Sequence, residues 1–182
     1  MTTWEHKYQS LLESSDKLVL EPLSYDLAGL APSLSRENVN FHYNKLARGY
    51  VDRYNSKEGD GNFNEAGAFL HNILFAQFKS PSGSNKPRDN MLRFIEQHHS
   101  SYEQFQQNVA ETAMGIQGSG WVYIAKNGDI KTIANHQIKR DIVLLIDWWE
   151  HAWYTDYGPD KKAYLKNVWK IVDWNRITLK LS

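Results

Sequence analysis

SRENVNFHYNKLARGYVDRYNSKEGDGNFNEAGAFLHNILFAQFK, residues 35–79, reads as two helices folded back on each other. Ser35 is a good N-cap, because its hydroxyl can accept from the free N–H groups of a first turn, and the helix it opens is expected to run to about Asn55. Ser56 to Asp60 (SKEGD) is a short polar turn. A second helix is expected from about Asn64 to Lys79, apolar on most faces and therefore buried. Each arm carries a histidine inside an apolar stretch, His42 in VNFHYNKL and His71 in AFLHNILF. Counted from the turn, His42 stands 13 residues before Asn55 and His71 stands 11 residues after Asp60. An offset of two residues is about 3 Å of helix rise, so the two imidazoles can face each other at one level. A buried imidazole pair without partners is costly, and a shared metal ion satisfies both.

Upstream, Glu21 to Leu34 is extended, with Pro22 and Pro32 blocking a continuous helix. Residues 1–20 form an N-terminal extension in which Trp4, Tyr8, Leu11 and Leu12 recur at helical spacing. Downstream, Pro81 to Pro87 (PSGSNKP) is a linker. Helices are expected over Asp89 to Gln97 and Ser101 to Met114, the second with a stripe of Tyr102, Phe105, Val109 and Ala113. Gly115 to Gly120 breaks the pattern. Trp121 to Ala125 and Ile130 to Ala134 then read as strands joined by a hairpin turn centred on Asn127-Gly128. Ile142 to Ile146 (IVLLI) reads as a buried central strand, and Tyr164 to Trp174 as a final helix. The helices are segregated from the strands rather than alternating with them. The fold class is therefore α+β: an N-terminal antiparallel helical hairpin domain (21–81), then a small α/β C-terminal domain (88–182) with a three-stranded antiparallel sheet, and a metal site between the two.

The 182 residues include 21 Lys+Arg and 21 Asp+Glu, a net charge of zero. That argues against nucleic acid as a partner, since no bulk cation excess is available to release counterions. The absence of cysteine excludes disulfides, thiolate metal sites and thiol catalysis. No apolar run approaches the ~18–20 residues of a membrane span. The polar stretch Met1 to Asp16 shows no secretory signal, so a cytoplasmic location is expected.

With cysteine absent, a metal must be held by His, Asp or Glu. Asp147 closes the apolar run Ile142 to Ile146 and opens DWWEH (147–151). An unpaired carboxylate at the end of a buried strand is expensive. Asp147 and His151 are four apart, which suits two ligands on one face of a turn or helix. His42, His71, Asp147 and His151 are thus the candidate metal ligands. Three histidines and one carboxylate suit iron, manganese or zinc, and residue chemistry does not choose among them. His6, His98 and His99 are expected to be ordinary residues, the last two solvated at the end of a polar helix.

The sequence also resembles a known family. DWWEHAWYTDY (Asp147 to Tyr157) is similar at every fixed position to the D-x-W-E-H-A-x-Y-x-D-Y signature of iron/manganese superoxide dismutases. Gly118-Ser119-Gly120-Trp121 resembles a second motif, and LSYDLAGLAPSLSRENVNFHYNKL with Gly49-Tyr50-Val51 resembles the N-terminal stretch. The likeness runs from about Leu20 to Leu179, with the motifs in order. It implies the same four ligands, a solvent molecule as fifth, and disproportionation of superoxide to dioxygen and hydrogen peroxide by redox cycling of the metal.

By the same resemblance Tyr50 is a gateway tyrosine, and Phe75, Trp121 and Trp149 form an aromatic shell around the metal. His136 stands where a side chain reaches the bound solvent and, with Gly67 on the second helix, implies one iron per subunit before manganese or use of either. Glu150 resembles a residue that reaches the partner subunit's metal histidine, which with Tyr154 implies a homodimer. Leu46 departs from the usual histidine that meets a partner tyrosine at the position of Tyr154, and Lys161 stands where many relatives have arginine. A protein of the same fold with altered or lost catalysis, serving as a structural or interaction subunit, is the alternative, favoured by Leu46. A non-haem iron oxygenase is disfavoured, because three histidines and an aspartate leave too few open positions for two cosubstrates.

Overall fold

A computed structural model describes residues 17–181. The helical spacing of Trp4, Tyr8, Leu11 and Leu12, and His6, lie outside the described residues. Ser35 caps the first helix as expected: its backbone is extended and its Oγ accepts from Asn38 N–H. Segment α1 (Arg36–Phe41) passes through a π-helical stretch, His42–Ala47, into α2 (Arg48–Asn55) without leaving helical backbone angles. Lys57 and Gly59, at φ +58° and +67°, reverse the chain. Helix α3 (Gly61–Ala76) then returns along the first arm. It starts three residues before the expected Asn64 because the Asp60 carboxylate accepts from Phe63 N–H and caps it there. It stops three residues short of Lys79 because the chain switches to extended pairing: Phe78 bridges Val172, and Lys79 N–H donates to Ile171 O at 2.8 Å. Ala66 to Phe75 are all buried, so α3 is the core helix of the hairpin.

Beyond the linker come α4 (Asp89–His99) and α5 (Tyr102–Met114). The four stripe residues of α5 are its four buried ones. Strands β1 (Gly120–Ala125), β2 (Ile130–Ala134) and β3 (Ile142–Asp147) pair antiparallel in the order β2-β1-β3. This corrects one expectation: β1 is central, and the apolar run Ile142 to Ile146 lies in an edge strand. Its outer edge is covered by a side chain. Gln77 Nε2 donates to Leu145 O, and Leu145 N–H donates to Gln77 Oε1 at 3.0 Å, as a neighbouring strand would. Gln77→Met should leave that buried backbone N–H and C=O unpaired and cost about 2–4 kcal/mol in urea unfolding. A cost under about 0.5 kcal/mol would show that water replaces the amide.

The β1–β2 turn holds Lys126 and Asn127 in a turn closed by Gly128 N–H to Ala125 O, with Gly128 at φ +87°. The positive φ therefore falls on the glycine alone. The expected single helix over Tyr164 to Trp174 is also corrected. It is two helices, α7 (Lys161–Val168) and α8 (Trp174–Thr178), preceded by α6 (Glu150–Tyr157). Asp160 caps α7 through Ala163 N–H and Asp173 caps α8 through Arg176 N–H, while Ile171 and Val172 pair with the chain leaving α3. His99 is half-buried rather than fully solvated: its Nε2 lies 2.9 Å from Gly128 O and its ring packs on Phe105.

Three of the polar contacts between the hairpin domain and the C-terminal part lie beside α6. Asn38 Nδ2 donates to Ala152 O at 3.2 Å, Ser35 N–H to Asp156 Oδ2 at 2.9 Å, and Tyr157 Oη to Ser33 O. They set the first helix beside α6, and so bring His42 beside His151.

Candidate metal centre

Each of the four donors is placed by a different local cause. His42 opens the π-helical stretch, and His71 lies 5.0 Å from it, centroid to centroid, with the rings edge to face. His71 Nδ1 donates to Gly67 O at 2.7 Å, one turn back on α3, which leaves its Nε2 with a lone pair. Asp147 is the last residue of β3, opposite Trp121. Its Oδ1 accepts from Trp149 N–H at 2.8 Å and its carbonyl accepts from Tyr164 Oη at 3.1 Å, so the carboxylate is held by the turn into α6. His151 follows in the first turn of α6, its ring 4.7 Å from that of His42.

The consequence is a cluster of unsatisfied atoms. Asp147 Oδ2 lies 3.2 Å from His42 Nε2, 3.4 Å from His151 Nε2 and 3.9 Å from His71 Nε2. All four atoms are buried without a hydrogen-bond partner, and one ligand atom from each residue falls within 4.8 Å of all the others. Two donors about 2.1 Å from a common centre are about 3.0 Å apart at a right angle and about 4.2 Å apart when opposite. The separations from Oδ2 lie in that range. Burial works against charge on Asp147, but the imidazoles of His151 and His42 outweigh it and hold the carboxyl well below the usual carboxylate range. Burial pushes the pKa values of His42 and His71 down. One carboxylate oxygen and three imidazole Nε2 atoms converging is a donor set that fits a divalent or trivalent transition ion, iron and manganese included.

Aromatic side chains pack against the histidines of the cluster. Phe75 packs 5.0 Å from His42, Trp121 5.1 Å from His71, and Trp149 5.8 Å from His151. The side chains of Tyr50 and His136 adjoin them: Tyr50 lies 5.3 Å from His71, ring to ring, and His136 stacks on Trp149 at 4.6 Å. Trp121 Nε1 donates to His136 Nδ1 at 3.2 Å, and His136 Nε2 lies 3.0 Å from Tyr50 Oη. An indole N–H can only donate, so Nδ1 accepts and the neutral imidazole carries its proton on Nε2, which donates to the Tyr50 oxygen. Burial pushes the His136 pKa down to about 4 and the Tyr50 pKa up to about 12, so both are neutral at pH 7. Gly67 shapes the same corner: a Cβ there would lie 2.8 Å from the Tyr50 ring.

Sequence reasoning picked out Tyr50, His136 and Trp121 singly. It missed that they form one hydrogen-bonded chain, and it missed Tyr164 and the Gly67–Tyr50 contact. No local pattern carries these, because the partners are 15 to 86 residues apart. Glu150 and Tyr154 are exposed on α6, and Leu46 is half-buried in the π-helical stretch. Lys161 Nζ sits 4.9 Å above the Trp153 ring and 5.3 Å above that of Trp148.

Residues 87–180 match the family described as iron/manganese superoxide dismutases, C-terminal domain, and residues 17–66 match its alpha-hairpin domain. Curated relatives include a superoxide dismutase (Fe) of Plasmodium falciparum, 30% identical over 87% of this chain and 93% of that protein. A superoxide dismutase (Mn/Fe) of Porphyromonas gingivalis is 31% identical over 84% of this chain and 93% of that protein. A superoxide dismutase (Fe) of Bordetella pertussis is 31% identical over 85% and 94%.

Proposed function

The chain belongs to the iron/manganese superoxide dismutase family, and from that premise we propose that it converts two superoxide ions and two protons into dioxygen and hydrogen peroxide. The observation that carries the reading is the convergence of four buried, unpartnered donor atoms, three Nε2 and one Oδ2. We assign His42, His71, Asp147 and His151 as the ligands of one iron or manganese ion. Such an ion supplies one-electron redox chemistry, taking an electron from one superoxide and giving it to the next.

The protein's own residues do the rest. Asp147 contributes the one full negative charge of the set. The Trp149 N–H and the Tyr164 hydroxyl fix its carboxylate and backbone, and Gly67 O fixes the tautomer of His71. Phe75, Trp121 and Trp149 keep bulk water from the cluster. The chain from Trp121 through His136 to Tyr50 runs in one direction. It occupies the Tyr50 oxygen as acceptor and leaves the hydroxyl proton free to donate toward the site, which is the proton the reaction needs held there. His136 acts through Tyr50, since both of its ring nitrogens are engaged.

For the resident metal we take iron. Two of the three relatives quoted are named for iron and the third for manganese and iron. We also take the enzyme to be a homodimer joined around Glu150 and Tyr154. Tyr154 is 53% exposed and Phe41 45%, on two helices that pack against each other. Sedimentation at micromolar concentration should give twice the 21.2 kDa chain mass, and a lower mass for Glu150→Ala. A monomeric wild type would end that proposal.

Superoxide consumption by protein loaded with iron, manganese or zinc tests the function. Iron or manganese protein should be active, and zinc protein inert, because zinc has no second oxidation state to use. Full iron and manganese occupancy without turnover would instead support a protein that kept the fold and lost the chemistry.

A further inference from the structure

His71 and Asp147 come to the cluster on different elements, one on α3 and one at the end of β3. The Gln77 side chain makes a two-point joint between those elements. Gln77 closes α3, six positions after His71, and is 2% exposed. Its Nε2 donates to Leu145 O, and its Oε1 accepts from Leu145 N–H at 3.0 Å, two positions before Asp147. Its backbone is held as well: the N–H donates to Leu74 O at 3.3 Å, and the carbonyl accepts from Asp173 N–H at 2.7 Å. Alternate residues of a strand present their main-chain groups to the same edge. At Asp147 that edge is met by the Tyr164 hydroxyl, which donates to the Asp147 carbonyl at 3.1 Å. The outer side of the ligand-bearing strand is thus fixed, from Leu145 to Asp147, by two side chains in place of a strand.

The first arm of the hairpin is matched to the C-terminal part separately. Asn38, four positions before His42, donates from Nδ2 to the carbonyl of Ala152, the residue after His151. One amide therefore ties the His42 arm to α6, and another ties the His71 arm to β3. Of the three separations at the carboxylate oxygen, the one from Asp147 Oδ2 to His71 Nε2 is the widest, 3.9 Å against 3.2 and 3.4 Å. It is the one that the Gln77 joint spans. Close-packed helices and strands transmit a displacement rather than absorb it. A shift between Gln77 and Leu145 is therefore carried to His71 and Asp147. We propose that Gln77 is a positioning residue of the metal centre, whose amide sets the spacing between His71 and Asp147. The proposal rests on the reading of those two residues as ligands, and it adds a residue that touches neither the ligand side chains nor the Trp121–His136–Tyr50 chain.

Two variants test it, in crystal structures at pH 6 with and without iron and in iron affinity measured by chelator competition. Gln77→Met keeps the length of the side chain and loses both hydrogen bonds. Gln77→Glu can keep both, because burial holds its carboxyl protonated, so the acid O–H donates to Leu145 O and the acid C=O accepts from Leu145 N–H. In Gln77→Met without metal the His71–Asp147 separation should change by about 0.5 Å, the tolerance of a well-held site, while the His42 and His151 rings keep their spacing. Iron affinity should fall about tenfold, as for the loss of a group that orients a ligand, and Gln77→Glu should match wild type in both measurements. If Gln77→Met does not fold, Gln77→Ala, which admits water to the Leu145 groups, takes its place with the same expected results. An unchanged His71–Asp147 separation and affinity would overturn the proposal. So would an equal shift of His42 and His151, which marks general loosening, or a Gln77→Glu as impaired as Gln77→Met. Iron-loaded wild type in the same series separates the two levels. Iron bound away from His71 and Asp147 there would remove the ligand reading itself, whatever Gln77 does.

Discussion

Asp147→Ala should hold no stoichiometric iron or manganese and show no measurable superoxide turnover. Changing partners that merely orient a metal ligand typically costs 10–100-fold in affinity, and this substitution removes a ligand and the set's only anion, so the loss should exceed about 100-fold. The metal-free proteins should behave in a telling way. In wild type without metal, a fully buried carboxylate faces three imidazoles with no hydrogen bond at Oδ2, ready to take an ion. Metal should then stabilise wild type, by about 2.7 kcal/mol at a concentration one hundred times Kd, and leave Asp147→Ala unmoved. Urea unfolding of both proteins with and without iron measures this. Equal stabilisation of the two by iron would place the ion elsewhere.

His136→Ala should keep its metal and lose activity by about 10–100-fold. The substitution strips the acceptor from Trp121 Nε1 and the donor from the Tyr50 oxygen at once. Two buried polar groups are then left to find water, and Tyr50 is free to turn. His136→Gln should do far better, within about fivefold of wild type. A glutamine offers an oxygen to accept from the indole and an N–H to donate to the phenol, so it can preserve both the chain and its direction. Steady-state rates on iron-loaded and manganese-loaded forms of the three proteins provide the comparison. If alanine and glutamine were equally impaired, the imidazole would matter for its shape and its stack on Trp149 rather than for its hydrogen bonds.

The ease with which the hairpin was read has a simple cause. The turn SKEGD fixes where the two arms begin, and helix rise then sets the level of His42 against His71. The observed 5.0 Å between their rings follows from that count. Asp147 and His151 were legible because a carboxylate ending an apolar strand demands a partner and four residues bring one round. The neighbours of β3 were not legible. IVLLI reports burial on both faces, and it cannot say whether a strand or the Gln77 amide covers the edge. The break after Val168 was hidden in an apolar run, although Asp173 signals a new N-cap to a closer reading. His99 looked solvated because its acceptor, Gly128 O, is 29 residues away. The Trp121–His136–Tyr50 chain is a product of tertiary packing, joining β1, the chain after β2 and α2, and no spacing rule encodes it.

Anomalous X-ray scattering at the iron and manganese edges, from crystals of the loaded protein, addresses the four-ligand site itself. One peak per chain is expected, about 2.0–2.2 Å from His42 Nε2, His71 Nε2, His151 Nε2 and Asp147 Oδ2. A fully loaded crystal whose peak lay outside those four atoms would contradict it.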